Sequence, residues 1–257
     1  MLCMVLSASS KENEGTMQIG TMLSEIPFGN MPVLLKSAGL DFFIIDTEHG
    51  GFDYSGVSCM IMTARLSKIP VLLRLSGNER KDITKFMDMG ADGVLLPMTN
   101  TKEEIEQVVS FAKYAPIGKR GISTTRAHTL YSPGDLTEYM KTANERTLIF
   151  AQIETKKGID NIEEILSVPG VNGVFIGPND LSCDFDCVRD AEETILGAID
   201  LISDAAIKHR KNCGIITSNK TYIKKGKEKN IDYFCCGSEL SMIKEACISM
   251  RKQIKGE

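Results

Sequence analysis

The chain lacks several features that would place it in a common functional class. Its 257 residues contain no tryptophan, and no stretch approaches the roughly 20 apolar residues that a membrane-spanning helix needs. No Gly-x-Gly-x-x-Gly motif follows an apolar run, which counts against a dinucleotide-binding fold. The net charge of −4, from 30 basic and 34 acidic residues, lacks the basic excess of a general nucleic-acid binder. We therefore expect neither nucleic acid nor a membrane as a partner.

The eight cysteines lack a recognisable pattern. Their spacing is irregular and no pair of Cys-x-x-Cys motifs occurs, so neither a zinc centre nor a disulfide framework is indicated. We interpret most of them as reduced thiols, which favours a cytoplasmic protein. The N-terminal segment is apolar but short and has no basic residue before its apolar run, so residues 1–16 are predicted to be a flexible leader rather than a signal peptide.

Short apolar runs bounded by glycine, proline or charge recur along the rest of the chain and predict buried strands. Few of them alternate between apolar and polar residues, as expected for strands covered on both faces of a parallel sheet. The eight predicted strands are 17–23, 42–46, 70–75, 93–97, 148–154, 173–178, 213–217 and 233–238. Helical patterns between them cover 78–90, 100–114, 158–170 and 190–214. This order predicts an α/β fold, a single-domain (β/α)8 TIM barrel over residues 17–257, with a doubly wound open sheet as the alternative.

Polar residues follow four of these runs. In barrels of this kind the active site lies at the carboxyl ends of the strands, so we expect these side chains to meet. They are Asp46, Glu48 and His49 after the second run, Arg74 in the third, Gln152 and Glu154 in the fifth, and Gly177, Pro178, Asn179 and Asp180 after the sixth.

Two of the acids are candidate metal ligands. Glu154 and Asp180 follow neighbouring strands, and carboxylate oxygens suit a hard divalent cation such as Mg²⁺ or Mn²⁺. Without a thiolate or imidazole, such a site would be weak and open, as a site that also receives substrate needs to be. Gln152 is two residues before Glu154 and therefore faces the same side of its strand. The alternative is that each acid caps the helix that follows it.

An imidazole and a guanidinium complete the set. Asp46 precedes His49 by three residues, which suggests a carboxylate that orients a basic imidazole; the alternative is a surface histidine in a glycine-rich turn. Arg74 lies in an otherwise apolar strand and needs an anionic partner there. That partner could be Asp46 or Glu48, or it could be a substrate carboxylate.

Several stretches together resemble one family. They are "FFIIDTEHGGFD", "PVLLRL", "GADGVLLPMTNTKEE", "GKRGISTTRA" and "IFAQIETKKGIDNIEEILSVPGVNGVFIGPNDLS". The chain resembles the HpcH/HpaI aldolase family of class II, metal-dependent pyruvate aldolases from about Ile19 to Cys247. The resemblance implies a (β/α)8 barrel that assembles as a hexamer, a trimer of dimers that exchange a C-terminal helix.

The resemblance also implies a role for each polar residue. Glu154 and Asp180 match the ligands of a divalent ion, Mg²⁺ or Mn²⁺, with Co²⁺ as a further candidate. His49 and Asp46 match the catalytic base pair, and Arg74 matches the residue that holds the keto-acid and its enolate. Gln152 matches the amide beside the metal, and the loop that receives the pyruvate carboxylate is matched by Gly177, Pro178 and Asn179. Asp88 matches an acid contributed to a neighbouring subunit's site.

The activity that this resemblance implies is carbon–carbon cleavage. The substrate would be a 4-hydroxy-2-oxo acid, cleaved to or formed from pyruvate and an aldehyde through a metal-stabilised enolate. Oxaloacetate decarboxylation, or citrate-synthase-like condensation, is the alternative on the same site, and a non-catalytic metabolite-binding barrel is a further one.

The chain departs from the family pattern at several positions. The family often has tryptophan near Ser76 and Gly77, a small alanine at position 179, and a small, glycine-containing stretch where this chain has "CDFDCVRD". We expect these positions and the loop 123–131 to line the aldehyde side of the pocket. Because of these departures, the resemblance does not identify the aldehyde substrate.

Overall fold

The computed structural model describes residues 17–256, so the leader predicted over residues 1–16 lies outside the described residues. Eight parallel strands close into a barrel in which each strand pairs with the next along the chain and the eighth pairs with the first. The strands are β1 Gln18–Leu23, β2 Phe42–Asp46, β3 Val71–Arg74, β4 Gly93–Leu96, β5 Leu148–Ile153, β6 Gly173–Ile176, β7 Asn212–Ile216 and β8 Tyr233–Ser238. The predicted single-domain (β/α)8 barrel is confirmed, and the open-sheet alternative is wrong.

Helices surround the barrel. They are α1 Met31–Ser37, α2 Tyr54–Ser67, α3 Arg80–Met89, α4 Lys102–Ala112, α5 Leu136–Arg146, α6 Lys156–Asp160, α7 Ile162–Ser167, α8 Pro178–Asp184, α9 Glu192–Lys208, α10 Lys220–Glu228 and α11 Glu239–Lys255. A short 3₁₀ helix, Ala127–Thr129, lies between α4 and α5. Within residues 17–256, no helix is long and apolar enough to cross a membrane.

Two of the predicted helices have different bounds in the structure. The helix predicted over 158–170 is two short helices, α6 and α7, which meet at Asn161, where φ is −97° and ψ is 9°. The Asn161 side chain donates a hydrogen bond to the carbonyl of Asn100, 2.7 Å away. The helix predicted over 190–214 ends at Lys208, because Arg210 adopts a left-handed conformation with φ of 54° that leads the chain into β7.

Alternate residues of each strand divide between two packing layers, as the two-residue period of a strand requires. In β2, Phe43 and Ile45 pack outward with the helices, whereas Phe42 and Ile44 point into the barrel. The interior layer consists of Met22, Phe42, Ile44, Leu72, Leu95, Leu148, Phe150, Phe175, Tyr233 and Cys235. The inward-facing residues beyond this layer therefore lie at the carboxyl ends of the strands, at the end of the barrel that we call the mouth.

Four aromatic rings close the barrel below the mouth. They belong to Phe42, Phe150, Phe175 and Tyr233, with neighbouring ring centroids 5.1–6.5 Å apart and several pairs in edge-to-face geometry. Such arrangements are preferred because the electron-rich face of one ring meets the positive edge of another. The barrel therefore has a dry floor, which we call the aromatic floor.

The loop 123–131 lies at the opposite end of the barrel from the mouth of its own chain. The last turn of α2 reaches it through Arg65, which donates from Nη2 to the carbonyl of His128 at 3.0 Å. Because the carboxyl ends of the outer helices return to the amino ends of the strands, a segment held there cannot line this chain's own pocket. The prediction that this loop lines the pocket is wrong for the mouth of the same chain.

We expect the aromatic floor to be a main source of stability. Phe175 is fully buried and contacts all three of the other rings in the floor. Its replacement, Phe175→Ala, is expected to lower the free energy of unfolding by about 3–5 kcal/mol, because it removes apolar burial and leaves a cavity. The matched control is Leu201→Ala, at a side chain that is 62% exposed, with an expected change of no more than about 0.5 kcal/mol. Urea unfolding curves measure both, and equal losses would contradict the role of the floor.

Candidate active site

A buried ion pair joins the ends of β2 and β3. The register of the sheet sets Asp46 opposite Arg74. The guanidinium donates two hydrogen bonds to the carboxylate, from Nε to Oδ1 at 2.9 Å and from Nη2 to Oδ2 at 2.6 Å. Asp46 is 2% exposed and Arg74 is 9% exposed. Burial alone would raise the pKa of Asp46, but the hydrogen bond and charge of Arg74 outweigh it, and the pKa lies below its ordinary value.

The same carboxylate shapes the turn that follows β2. Asp46 Oδ1 accepts hydrogen bonds from the main-chain amides of Glu48 and His49, at 3.0 and 3.2 Å. These bonds fold the chain back over the strand end, as aspartate side chains commonly do in turns. The turn therefore carries Glu48 and His49 at the mouth.

His49 contacts Asp46 through its main chain, not through its ring. The Asp46 oxygens are already occupied by Arg74 and by two amides, so they do not orient the imidazole as the sequence spacing suggested. The nearest acid to the ring is Glu48, whose Oε2 lies 3.7 Å from His49 Nε2 and 3.4 Å from Arg74 Nη1. The His49 side chain is 71% exposed and faces solvent at the mouth.

A second buried carboxylate lies at the end of β5. Glu154 is 2% exposed, and its Oε1 accepts a hydrogen bond from the amide of Met98 at 2.6 Å. Its Oε2 accepts one from Gln152 Nε2, also at 2.6 Å. The two side chains therefore face the same side, as predicted. The helix that follows is capped by Thr155, so the alternative in which Glu154 caps a helix is wrong.

The sixth strand brings its loop directly against this pair. A side chain at Gly177 would place its Cβ only 2.5 Å from Glu154 Oε2 and 3.2 Å from Gln152 Nε2, so only glycine fits. Pro178 is buried as the first residue of α8, and Asn179 and Asp180 follow it as exposed residues. The predicted residues of strands two, three, five and six therefore meet at one mouth.

The charges at this mouth are unbalanced. The pKa of Glu154 is raised to about 7, mainly by burial and also by the nearby charges of Asp180 and Glu48, against the opposing hydrogen bonds from the Met98 amide and Gln152. Burial also raises the pKa of Glu48, with Asp46 and Asp180 adding to the shift. Arg74 and His49 lower the pKa of Glu48 through their charge, but Arg74 is already paired with Asp46. The ionised form of the acids at the mouth would therefore be stabilised by an additional positive charge.

The donor set fits a divalent cation. Gln152 Oε1 is buried and has no hydrogen-bond partner among residues 17–256, so it is an oxygen available to a ligand. Glu154 and Asp180 supply further oxygens of the kind that Mg²⁺ and Mn²⁺ prefer. In the described part of the chain, no group of three or more His, Cys, Asp or Glu could hold a metal ion. Any site here would therefore have fewer than three ligands from these residue types, and Glu154 and Asp180 stay the predicted ones.

Asp88 lies away from this mouth. It is in the last turn of α3, where its Oδ1 accepts a hydrogen bond from Arg120 Nη2 at 2.6 Å and lies 3.8 Å from His128 Nε2. This position is near the start of β4, at the same end of the barrel as the loop 123–131. The structure therefore does not bring Asp88 into the site of its own chain, and its contribution to a neighbouring site stays a prediction.

Two contributors to the site were not assigned from the sequence. Glu48 was visible in the "DTEHGG" stretch, but its closeness to both Arg74 and His49 depends on the turn geometry. Met98 adopts a left-handed conformation with φ of 48° and contributes only its main-chain amide, which donates to Glu154. No sequence signal marks such a contribution, because the side chain takes no part.

A sequence profile of the HpcH/HpaI aldolase/citrate lyase family matches residues 30–231. The chain belongs to this HpcH/HpaI family. Its relatives include a hydroxypyruvate/pyruvate aldolase from Roseovarius nubinhibens, 32% identical over 213 residues that cover 82% of each protein.

Two solved structures agree with the barrel. A HpcH/HpaI aldolase from Desulfitobacterium hafniense DCB-2 superposes with a TM-score of 0.89 at 26% identity, over 94% of this chain and 93% of that one. The citrate synthase SbnG superposes with a TM-score of 0.83, also at 26% identity, over 95% of this chain and 97% of that one. The resemblance inferred from the sequence motifs is therefore confirmed at the level of family and fold.

The pKa of Glu154 predicts how stability depends on pH. In the folded protein it is about 7 against an ordinary 4.5, so the folded state holds this proton more tightly than the unfolded state. The stability that this group contributes is complete below about pH 4.5 and is lost as the pH rises through about 7. Relative to Glu154→Gln, the metal-free wild type is expected to lose about 1–3 kcal/mol between pH 5 and pH 8.

Thermal melting of both proteins from pH 5 to pH 8, with a chelator present, measures this difference. The lost hydrogen-bond acceptor in Glu154→Gln lowers the melting temperature equally at every pH, so only the slope matters. Parallel curves for the two proteins would contradict the assigned proton.

Proposed function

We propose that the chain is a metal-dependent carbon–carbon lyase that cleaves or forms 4-hydroxy-2-oxo acids, with pyruvate and an aldehyde as the other partners. The main support is one arrangement at the mouth. The buried Glu154–Gln152 pair, with its unpartnered oxygen, lies in the same barrel mouth as the buried guanidinium of Arg74. Family membership and the aldolase relative agree with it.

Arg74 is suited to bind the keto-acid. Asp46 uses Nε and Nη2 and thereby fixes the plane of the guanidinium, while Nη1 lies 3.4 Å from Glu48. An arginine held in this way presents its remaining N–H groups to an anion without first losing side-chain freedom. We propose that they bind oxygen atoms of the keto-acid, including the oxygen on which negative charge grows as the enolate forms.

We propose that Glu154 and Asp180 hold a divalent cation, with Gln152 and the loop Gly177–Asn179 beside the substrate. When bound, such an ion acts as a Lewis acid that makes the carbon next to a keto group more acidic. Its identity among Mg²⁺, Mn²⁺ and Co²⁺ is left to experiment. Glu154 must lose its proton to serve as a ligand, so its raised pKa predicts that binding strengthens from about pH 6 to pH 8.

His49 is the proposed base. Its exposed ring at the mouth can exchange a proton with substrate, either directly or through a water molecule. Asp46 then acts indirectly, by holding both Arg74 and the turn that carries His49.

The alternative reaction on the same residues is a condensation or decarboxylation that uses oxaloacetate. It is favoured by one finding, the superposition with the citrate synthase SbnG. Pyruvate and oxaloacetate share the 2-oxo acid group that these residues would bind, so the choice depends on the second substrate.

Assembly and location are also proposed. The apolar side chains of α11 are largely exposed, namely Leu240, Met242, Ile243, Ile248, Met250 and Ile254. They support a hexamer, a trimer of dimers in which α11 packs on another copy, and in which Asp88 reaches a neighbour's site. All seven cysteines among residues 17–256 are free thiols, which supports a reducing, cytoplasmic setting.

Exchange of the pyruvate methyl protons in D₂O tests the central step without an aldehyde. With Mg²⁺ or Mn²⁺ present, the wild type is expected to replace these protons by deuterium, as followed by proton NMR. Glu154→Gln is expected to reduce the rate at least about 100-fold, on the scale that catalytic groups of this kind contribute. The matched control is Glu163→Gln, at a surface carboxylate that pairs with Lys208 and His209, and it should exchange as wild type does.

A panel of 4-hydroxy-2-oxo acids and oxaloacetate then separates the reactions. Release of pyruvate from the former supports the lyase, and condensation with oxaloacetate alone supports the alternative. If the wild type binds pyruvate but does not exchange its methyl protons for deuterium in the presence of either Mg²⁺ or Mn²⁺, the protein is a non-catalytic binding barrel.

The assembly has its own test in light scattering coupled to gel filtration. The wild type is expected at about six times its chain mass of 28.3 kDa. Ile243→Glu combined with Met250→Glu is expected to give smaller species, because buried unpaired charges oppose docking of α11. Leu201→Glu, on the exposed side of α9, is the control. A monomeric wild type would refute the proposed hexamer.

A further inference from the structure

Glu239, the first residue of α11, is an acid in an unusual setting. It directly follows β8 and is the one buried residue of its helix, 5% exposed. Its Oε1 accepts three main-chain hydrogen bonds, from the amides of Ser24 at 2.8 Å, Glu25 at 2.7 Å and Ile26 at 3.2 Å. One oxygen atom thus fixes three consecutive residues of the loop after β1.

The other oxygen of this carboxyl group has no such role. Glu239 Oε2 is buried and has no hydrogen-bond partner among residues 17–256. A half-satisfied buried carboxylate is costly, and its position at the N-terminus of α11 offsets only part of that cost. A side chain held at such a cost is better explained by the geometry that it imposes on the loop than by the stability that it adds.

The loop that Glu239 holds contacts the turn that carries His49. The carbonyl of Ser24 accepts a hydrogen bond from the amide of Gly51 at 3.0 Å. Close packing reinforces this bond, because a Cβ at Gly50 would lie 2.7 Å from the Ser24 carbonyl oxygen and 2.0 Å from that of Asp46. Ser24 therefore has its amide on Glu239 and its carbonyl on Gly51, at the far end of the turn that carries His49.

The turn is therefore held from two sides. On the side of β2 and β3, the Asp46 carboxylate holds the amides of Glu48 and His49, and the carbonyl of Arg74 accepts hydrogen bonds from the amide and the hydroxyl of Thr47. On the side of β1, the only anchor that we identify in the described chain is the carbonyl of Ser24, a residue whose amide is held by Glu239. Loss of the second anchor leaves His49 tied at one end, next to two glycines.

We propose that Glu239 is a positioning residue. It fixes the turn Thr47–Gly51, and with it His49, through the main chain of Ser24. Its effect on catalysis rests on the proposed function, whereas its effect on the turn does not. Because Glu239 begins α11, it also makes the placement of His49 depend on how that helix is seated.

Hydrogen–deuterium exchange measured by mass spectrometry tests the anchor in the full-length protein, whatever its assembly. In Glu239→Ala, peptides covering residues 24–27 and 47–52 are both expected to exchange at least about 10-fold faster. Glu239→Gln keeps a carbonyl acceptor in place and is expected to restore most of the protection. This variant keeps the test decisive if the alanine variant folds poorly.

The matched control lies at the other end of the same strand. Asp232 precedes β8 and accepts a hydrogen bond from the amide of Cys213 at 2.8 Å. Asp232→Ala also removes a carboxylate that holds a main-chain amide, but at the far end of the barrel, so the peptide 47–52 should exchange as in the wild type. If Glu239→Ala speeds exchange in 24–27 but leaves 47–52 unchanged, Glu239 holds only its own loop and the proposal is wrong.

Deuteration of pyruvate adds the catalytic readout. Glu239→Ala is expected to lower kcat about 10-fold, because small displacements of a catalytic group are costly. The half-saturating pyruvate concentration should change less than about 2-fold, because Arg74 and Glu154 are untouched. An unchanged kcat beside a loosened turn would show that His49 needs no such positioning. A wild type that does not deuterate pyruvate would overturn the proposed function instead, and the exchange data would still decide the anchor.

Discussion

The bidentate pair between Asp46 and Arg74 is the interaction on which the mouth of this barrel depends. Each residue ends a strand whose earlier inward-facing residues are wholly apolar, and each is nearly inaccessible to water. Removal of either partner would leave an uncompensated buried charge, which is far more costly than the pair is stabilising. Since the same aspartate also holds two amides of the following turn, a single carboxylate sets both the guanidinium plane and the path of the chain at His49.

The rest of the mouth is acidic because the pair neutralises only itself. Burial raises the pKa of both Glu154 and Glu48, the charge of Asp180 adds to the shift at each, and the charge of Glu48 adds to it at Glu154. A protein interior tolerates such a set where a cation or a proton completes it. The proposed divalent cation would therefore compete with proton uptake at the same oxygens, which connects the electrostatics of the mouth to the proposed function.

Much of the architecture could be predicted from the sequence because its signals are local. Apolar runs gave the eight strands, and the two-residue period correctly put Gln152 and Glu154 on one face. The side-chain contacts at the mouth could not be predicted in the same way, because they depend on which of several nearby groups occupies a given carboxylate. The spacing of Asp46 and His49 suggested a ring contact, but Arg74, 28 residues from Asp46, occupies that carboxylate. The loop 123–131 does not line the mouth of its own chain, because motif similarity does not say at which end of the barrel a loop lies.

The aromatic floor has a consequence for the order of events during turnover. Since four packed rings block passage through the barrel, reactants enter and leave by a single opening. In the proposed function, a keto-acid held at Arg74 and Gln152 would lie at the closed end of this opening, with the second reactant above it. The reactant nearer the floor would then have to enter first and leave last, which would impose a compulsory order on a two-substrate reaction.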